Sequence, residues 1–128
     1  MSLRPALGTV LGSGSARAGV EHWWSQRVSA VAAALLGLWF IYSMLNLPSL
    51  DRAALITWLA EPFSATLMLL FLLATFWHSA LGVQVVIEDY VHGKALRVAS
   101  LLAARYAHLL AGGAAVVSVL KLSFGEPA

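Results

Sequence analysis

The chain has no cysteine among its 128 residues. That absence excludes a disulfide framework, cysteine-held iron–sulfur clusters and thiolate zinc sites. Charge is nearly as scarce: 11 % of the residues are Asp, Glu, Lys or Arg, against about 25 % in an ordinary soluble domain. A soluble globular enzyme is therefore not expected. The net charge of +2 is too small for a nucleic-acid-binding surface. Disorder requires low hydrophobicity with high net charge, whereas 60 % of this chain is hydrophobic and its mean hydropathy is +0.81. The length fits one domain. A small integral membrane protein remains.

What is present is three long apolar runs, Val28–Leu47, Phe63–Ile87 and Val98–Leu120. Together they cover 68 residues and hold one formal charge, Arg105, while the other 60 residues hold the remaining 13. A hydrocarbon core of about 30 Å takes roughly 20 helical residues to cross, so each run is long enough. Backbone groups in lipid must bond within their own segment, which makes each span an α-helix. No run alternates as a barrel strand would. The expectation is an all-α membrane protein of three transmembrane helices, a single domain over residues 21–128. Residues 1–20, with Gly12-Ser13-Gly14-Ser15 and no central apolar segment, read as a flexible tail and not as a signal peptide.

Arg4, Arg17, Arg27, Lys94 and Arg97 fall on one side of the spans, and Arg52 and Lys121 on the other. The positive-inside rule then puts the N-terminus in the cytoplasm and the C-terminus in the periplasm of a bacterial inner membrane. Trp23, Trp24 and Tyr90 lie at the inner interface, Trp58 and Phe63 at the outer one. In the outer loop, Ser49 or Asp51 caps a short helix that runs to Leu59 and stops before Pro62. Leu50, Ala54, Ile56 and Trp58 of that helix are expected on the membrane surface. The third span is crowded with small residues, among them Ala104, Ala107, Ala111, Gly112 and Gly113, which suit close helix packing against a second subunit.

Ionisable groups inside a membrane are expensive and mark functional positions. His78 lies about 13 Å and His108 about 15 Å from the inner ends of their spans, at 1.5 Å per residue. At that depth an imidazole serves either as an axial haem ligand or in an interhelical hydrogen bond. Gly82 and Ala74 stand four residues to either side of His78 and leave a flat surface on its face against which a porphyrin can pack, with a helix-packing glycine as the alternative for Gly82. Eleven residues turn a helix about 20° past three full turns, so Asp89 returns to the His78 face at the inner interface, with Tyr90 beside it. A phenol there can donate to a quinone carbonyl, and a carboxylate can orient a partner or relay a proton; an interfacial tyrosine with solvated acids is the plainer alternative. Arg27, at the same interface, suits either a haem propionate or an anchoring charge. Arg105, eight positions inside the third span, either snorkels inwards or pairs with an anion.

The segments His22-Trp23-Trp24-Ser25-Gln26-Arg27 and His78-Ser79-Ala80-Leu81-Gly82-Val83-Gln84-Val85-Val86-Ile87-Glu88-Asp89-Tyr90 resemble those of the hydrophobic membrane anchor subunits of succinate dehydrogenase, respiratory complex II. The likeness is to the alphaproteobacterial and mitochondrial members and covers residues 20–120. It implies a partner anchor of the cytochrome b kind, an iron–sulfur subunit and a flavoprotein subunit. It also implies that His78 is one axial ligand of a haem b whose other ligand comes from the partner anchor. In the same terms, Arg27 neighbours the haem propionates, Tyr90 hydrogen-bonds ubiquinone and Asp89 lies beside that site. His108 and Arg105 are outside the motif and are left as groups near the haem.

With no flavin motif, no cysteine and no dicarboxylate site, the chain is not expected to oxidise succinate by itself. Three other readings of the same residues compete. One is a fumarate reductase anchor. Another is a self-contained cytochrome b in which His78 and His108 both ligate one haem. The last is a non-redox membrane protein with a polar path through His78 and Arg105.

Overall fold

The computed structural model describes residues 14–125. Its elements are four helices: α1 over Gly14–Asn46, α2 over Arg52–Ala60, α3 over Pro62–Tyr90 and α4 over Lys94–Phe124. Three of them carry stretches long and apolar enough to cross a membrane: 28 residues from Gly19 to Asn46, 29 from Pro62 to Tyr90 and 31 from Lys94 to Phe124. At 1.5 Å per residue each is roughly 42–47 Å long, so each outruns the hydrocarbon core and reaches the headgroups at its ends. The chain is a multi-pass membrane protein. Residues 14–20, expected in a tail, are helical; residues 1–13 lie outside the described part.

Local chemistry ends each helix. Asn46 closes the last turn of α1 by donating from Nδ2 to the Tyr42 carbonyl at 2.7 Å, and Pro48 forbids continuation. Asp51 caps α2, its Oδ1 accepting from the Ala54 amide at 2.8 Å. Pro62 occupies the first turn of α3, where its missing N–H costs nothing. After Tyr90 the loop is held by Arg97, whose Nε donates to the Val91 carbonyl at 2.9 Å. The expected short helix is there with its cap and its stop, and one aspect differs. Trp58 turns inward, stacking on Trp39 of α1 at 5.6 Å between centroids and standing 6.2 Å from Phe40, instead of lying on the membrane surface.

Helix α3 is the middle of the molecule. It packs along α1 on one side and α4 on the other, and α2 packs against both α3 and α4 at the end expected to face the periplasm, the outer end. The registers follow from the smallest residues. A Cβ built on Gly37 of α1 would stand 3.4 Å from Phe71, and one on Gly112 of α4 3.3 Å from Phe76. Each glycine thus admits a phenylalanine of α3. Among the described residues only three hydrophobic side chains are buried, Leu59, Ala65 and Val119, one each from α2, α3 and α4 at the outer end. Leucines, valines and aromatics are exposed along α1, α3 and α4. Helices apolar all round are covered by lipid or by other helices.

Candidate functional site

Below that outer cluster the α1–α3 seam becomes polar. Ser29, 7 % exposed, is one of two buried polar residues among those described. Its Oγ lies 3.2 Å from His78 Nδ1 and 3.1 Å from the Gln26 carbonyl one turn back. One helical turn further in on α3, Gly82 faces Gln26, and a Cβ there would meet Gln26 Nε2 at 3.6 Å. The flat surface expected along Ala74, His78 and Gly82 is therefore occupied by α1 at Gly82. Ala74 remains open: with Trp24, Val28, Ser29 and Trp77 it walls a groove of about 520 Å³ along the same seam. Two more buried atoms of α1, His22 Nε2 and Gln26 Oε1, have no hydrogen-bond partner among the described residues. They lie within ~60° of Ser29 and ~40° of each other around the helix axis.

His108 occupies a different environment. Its Nδ1 is 2.7 Å from the Ala104 carbonyl, and its Nε2 is 3.1 Å from Ser79 Oγ. A carbonyl only accepts, so Nδ1 carries the proton and the Ser79 hydroxyl donates to Nε2. Both ring nitrogens are taken. Because Ser79 follows His78 in the chain, the two contacts leave α3 in directions ~100° apart. The structure brings His78 to α1 and His108 to the α3–α4 side, and does not bring the two rings together. Arg105 and His108 instead border a cavity of about 190 Å³ between α3 and α4, together with Trp77 and Gln84. The Ser29–His78 and Ser79–His108 pairs were not legible in the sequence, where each serine looks like one more small residue.

At the inner end, Gln84 Nε2 donates to Glu88 Oε1 at 2.8 Å. Asp89 and Tyr90 are exposed, Tyr90 by 78 %. On α1 the rings of Trp23 and Trp24 stack at 6.1 Å, and the Arg27 guanidinium sits 5.3 Å from the centre of the Trp23 ring. Two residues turn a helix by ~200°, so Arg27 leaves α1 on the side away from Ser29. His78, Tyr90 and Arg27 thus share one half of the molecule without touching. None of the described residues forms a cluster of metal-ligating side chains.

Residues 1–120 match the family described as the succinate dehydrogenase/fumarate reductase transmembrane subunit. The chain belongs to this family. Among its relatives is a succinate dehydrogenase hydrophobic membrane anchor subunit of Rickettsia bellii, 34 % identical over 107 residues, covering 84 % of this chain and 86 % of that one. The protein of the same name from Rickettsia conorii is 38 % identical over 86 residues, covering 66 % and 68 %. That from Paracoccus denitrificans is 28 % identical over 114 residues, covering 89 % and 88 %. Membership in the transmembrane-subunit family removes the non-redox reading.

Proposed function

We infer that this chain is the membrane anchor of a succinate:quinone oxidoreductase in a bacterial inner membrane, and that His78 is its ligand to a haem b. The observation that carries the haem assignment is the contrast between the two membrane histidines. Among the described residues the sole hydrogen-bond partner of His78 is Ser29 at Nδ1, which leaves Nε2 for a metal. His108 has neither nitrogen to give. The donor set therefore fits a haem that takes one axial ligand from this chain and the other from a second anchor subunit, not a haem held by both histidines here. Bound there, a haem supplies a one-electron store inside the bilayer.

The chain's own residues do the rest. Exposed apolar faces on three helices supply a surface for a partner anchor. The buried, unpartnered His22 Nε2 and Gln26 Oε1 support a site finished by groups outside this chain. Arg27, held over Trp23 at the cytoplasmic interface, supplies a fixed positive charge for the haem propionates. Tyr90, exposed at the same end, donates its phenolic hydrogen to a ubiquinone carbonyl, with the Asp89 carboxylate beside it to guide a proton. Electrons arrive from an iron–sulfur subunit and a flavoprotein subunit, for which the chain has no residues of its own. Gly82 keeps α1 close enough to α3 for Ser29 to reach His78.

The test is a dithionite-reduced minus oxidised spectrum of the affinity-purified chain with its co-purifying subunits. A b-type haem alongside a flavoprotein and an iron–sulfur protein is expected. The haem without those partners would overturn the anchor reading in favour of a self-contained cytochrome. The partners without the haem would remove the ligand role of His78.

A further inference from the structure

We propose that Ser29 sets the tautomer and ring orientation of His78, and so tunes the group that His78 ligates; this rests on the haem-ligand reading above. The argument is one of proton counting. The Ser29 hydroxyl has one hydrogen and two neighbours, the Gln26 carbonyl at 3.1 Å and His78 Nδ1 at 3.2 Å. The carbonyl can only accept. Both contacts are hydrogen bonds in one arrangement alone, in which Ser29 gives its hydrogen to Gln26 and accepts from an Nδ1–H of His78. That arrangement leaves the Nε2 lone pair for iron. The opposite tautomer would put a hydrogen on Nε2 and leave one of the two contacts without a proton.

The seat of this contact is built for it. Ser29 is buried, and a buried hydroxyl without partners is costly. Gln26 fixes the hydroxyl from within α1, and α1 is fixed against α3 by the Gly82 notch below and the Gly37–Phe71 contact above. The imidazole is therefore held from a helix other than its own. A hydrogen bond from the far ring nitrogen of a metal-bound histidine fixes the ring plane and raises the basicity of the ligand. A more basic ligand stabilises ferric iron over ferrous iron. Ser29 is a positioning residue, since it acts on the haem only through His78.

The test uses the assembled complex, with haem content, redox midpoint and the low-temperature electron paramagnetic resonance of the ferric haem read in parallel. Ser29→Ala should retain most of the haem, raise its midpoint potential and shift the low-spin g values, because the ring loses its acceptor and is free to rotate. Ser29→Thr, which keeps the hydroxyl, should restore both. Unchanged potential and g values in Ser29→Ala would overturn the proposal. His78→Ala separates this from the underlying assignment: a retained bis-imidazole signature in that variant sinks the ligand reading itself. Should Ser29→Ala fail to assemble, nitrogen-15 resonances of histidine in the unmutated complex decide the matter. Protonated Nδ1 at His78 upholds the proposal, and protonated Nε2 overturns it.

Discussion

The two membrane histidines differ in what their ring nitrogens are already doing, and that difference makes a prediction. His78→Ala should abolish more than half of the b-haem absorbance, while His108→Ala should leave most of it, since His108 spends Nδ1 on the Ala104 carbonyl and Nε2 on Ser79. Reduced-minus-oxidised spectra of the two variants check this, and the reverse order would point to a different ligand set. Tyr90 allows a second prediction. Its hydroxyl is free to reach an outside group, so Tyr90→Phe should lower quinone reduction by roughly tenfold or more, the scale of one lost hydrogen bond at about 1.4 kcal/mol. Transfer from succinate to a soluble dye should stay near the unmutated rate. Equal loss of both activities would remove the quinone role. At this scale the sequence is a good guide to which residues matter, because ionisable groups in an apolar run stand out by composition. It is a poor guide to what they touch. Nothing local ties Ser29 to a histidine 49 positions away or Ser79 to one 29 positions away; those pairs exist only once the helix registers are set.

At the scale of the helix, the legible features are those with a local cause. The α2 helix could be read from Asp51 and Pro62, because a cap and a stop act within one turn. The ends of the long helices could not be read from the apolar runs. Hydropathy records where lipid begins, and hydrogen bonding carries α1 back through Arg27 and His22 and starts α4 at Lys94. The cap itself is testable. The backbone amide of Ala54, helped by the Ser49 side chain, holds the exposed Asp51 carboxyl below its usual pKa. A lowered native pKa means that the cap's contribution is complete above the ordinary carboxylate pKa of about 3.9. It fades as pH falls from there through the native value. Hydrogen-exchange protection of the first turn of α2 should therefore hold at neutral pH and drop in acid, and Asp51→Ala should remove it at every pH while Asp51→Asn retains it. Packing gives another contrast. Gly112 faces Phe76, whereas Gly113 has open space around it. Gly112→Leu should destabilise the α3–α4 pair by about 1–3 kcal/mol, the usual range for overpacking. Gly113→Leu should spare the pair, as thermal unfolding of the purified complex would report. If Gly113→Leu alone lowers subunit recovery, that face of α4 meets the partner.

As a whole molecule, the chain has three crossings and hardly any interior. Its buried hydrophobic residues sit at the outer end, and what lies below is a polar seam between α1 and α3 flanked by exposed apolar faces. Such an arrangement separates two tasks. The outer end, closed by α2 and the Trp39–Trp58 stack, fixes the helices relative to one another. The inner half is left open for groups supplied from elsewhere, and its use depends on which side of the membrane it faces. In the sequence, Arg4, Arg17 and Arg27 precede the first apolar run and Lys94 and Arg97 follow the second, close to Asp89 and Tyr90, against Arg52 and Lys121 on the other side of the runs. On the positive-inside rule that end is expected in the cytoplasm, where electrons from soluble subunits would reach it. The absence of native cysteine makes this directly measurable, since any introduced thiol is the only one in the chain. In intact cells whose outer membrane has been made permeable, a membrane-impermeant maleimide should label Ser49→Cys in the α1–α2 loop. The same reagent should label His92→Cys in the α3–α4 loop only after the inner membrane is opened. The opposite pattern would put Tyr90 on the periplasmic side, and with it would go the quinone and haem arrangement built on a cytoplasmic electron supply.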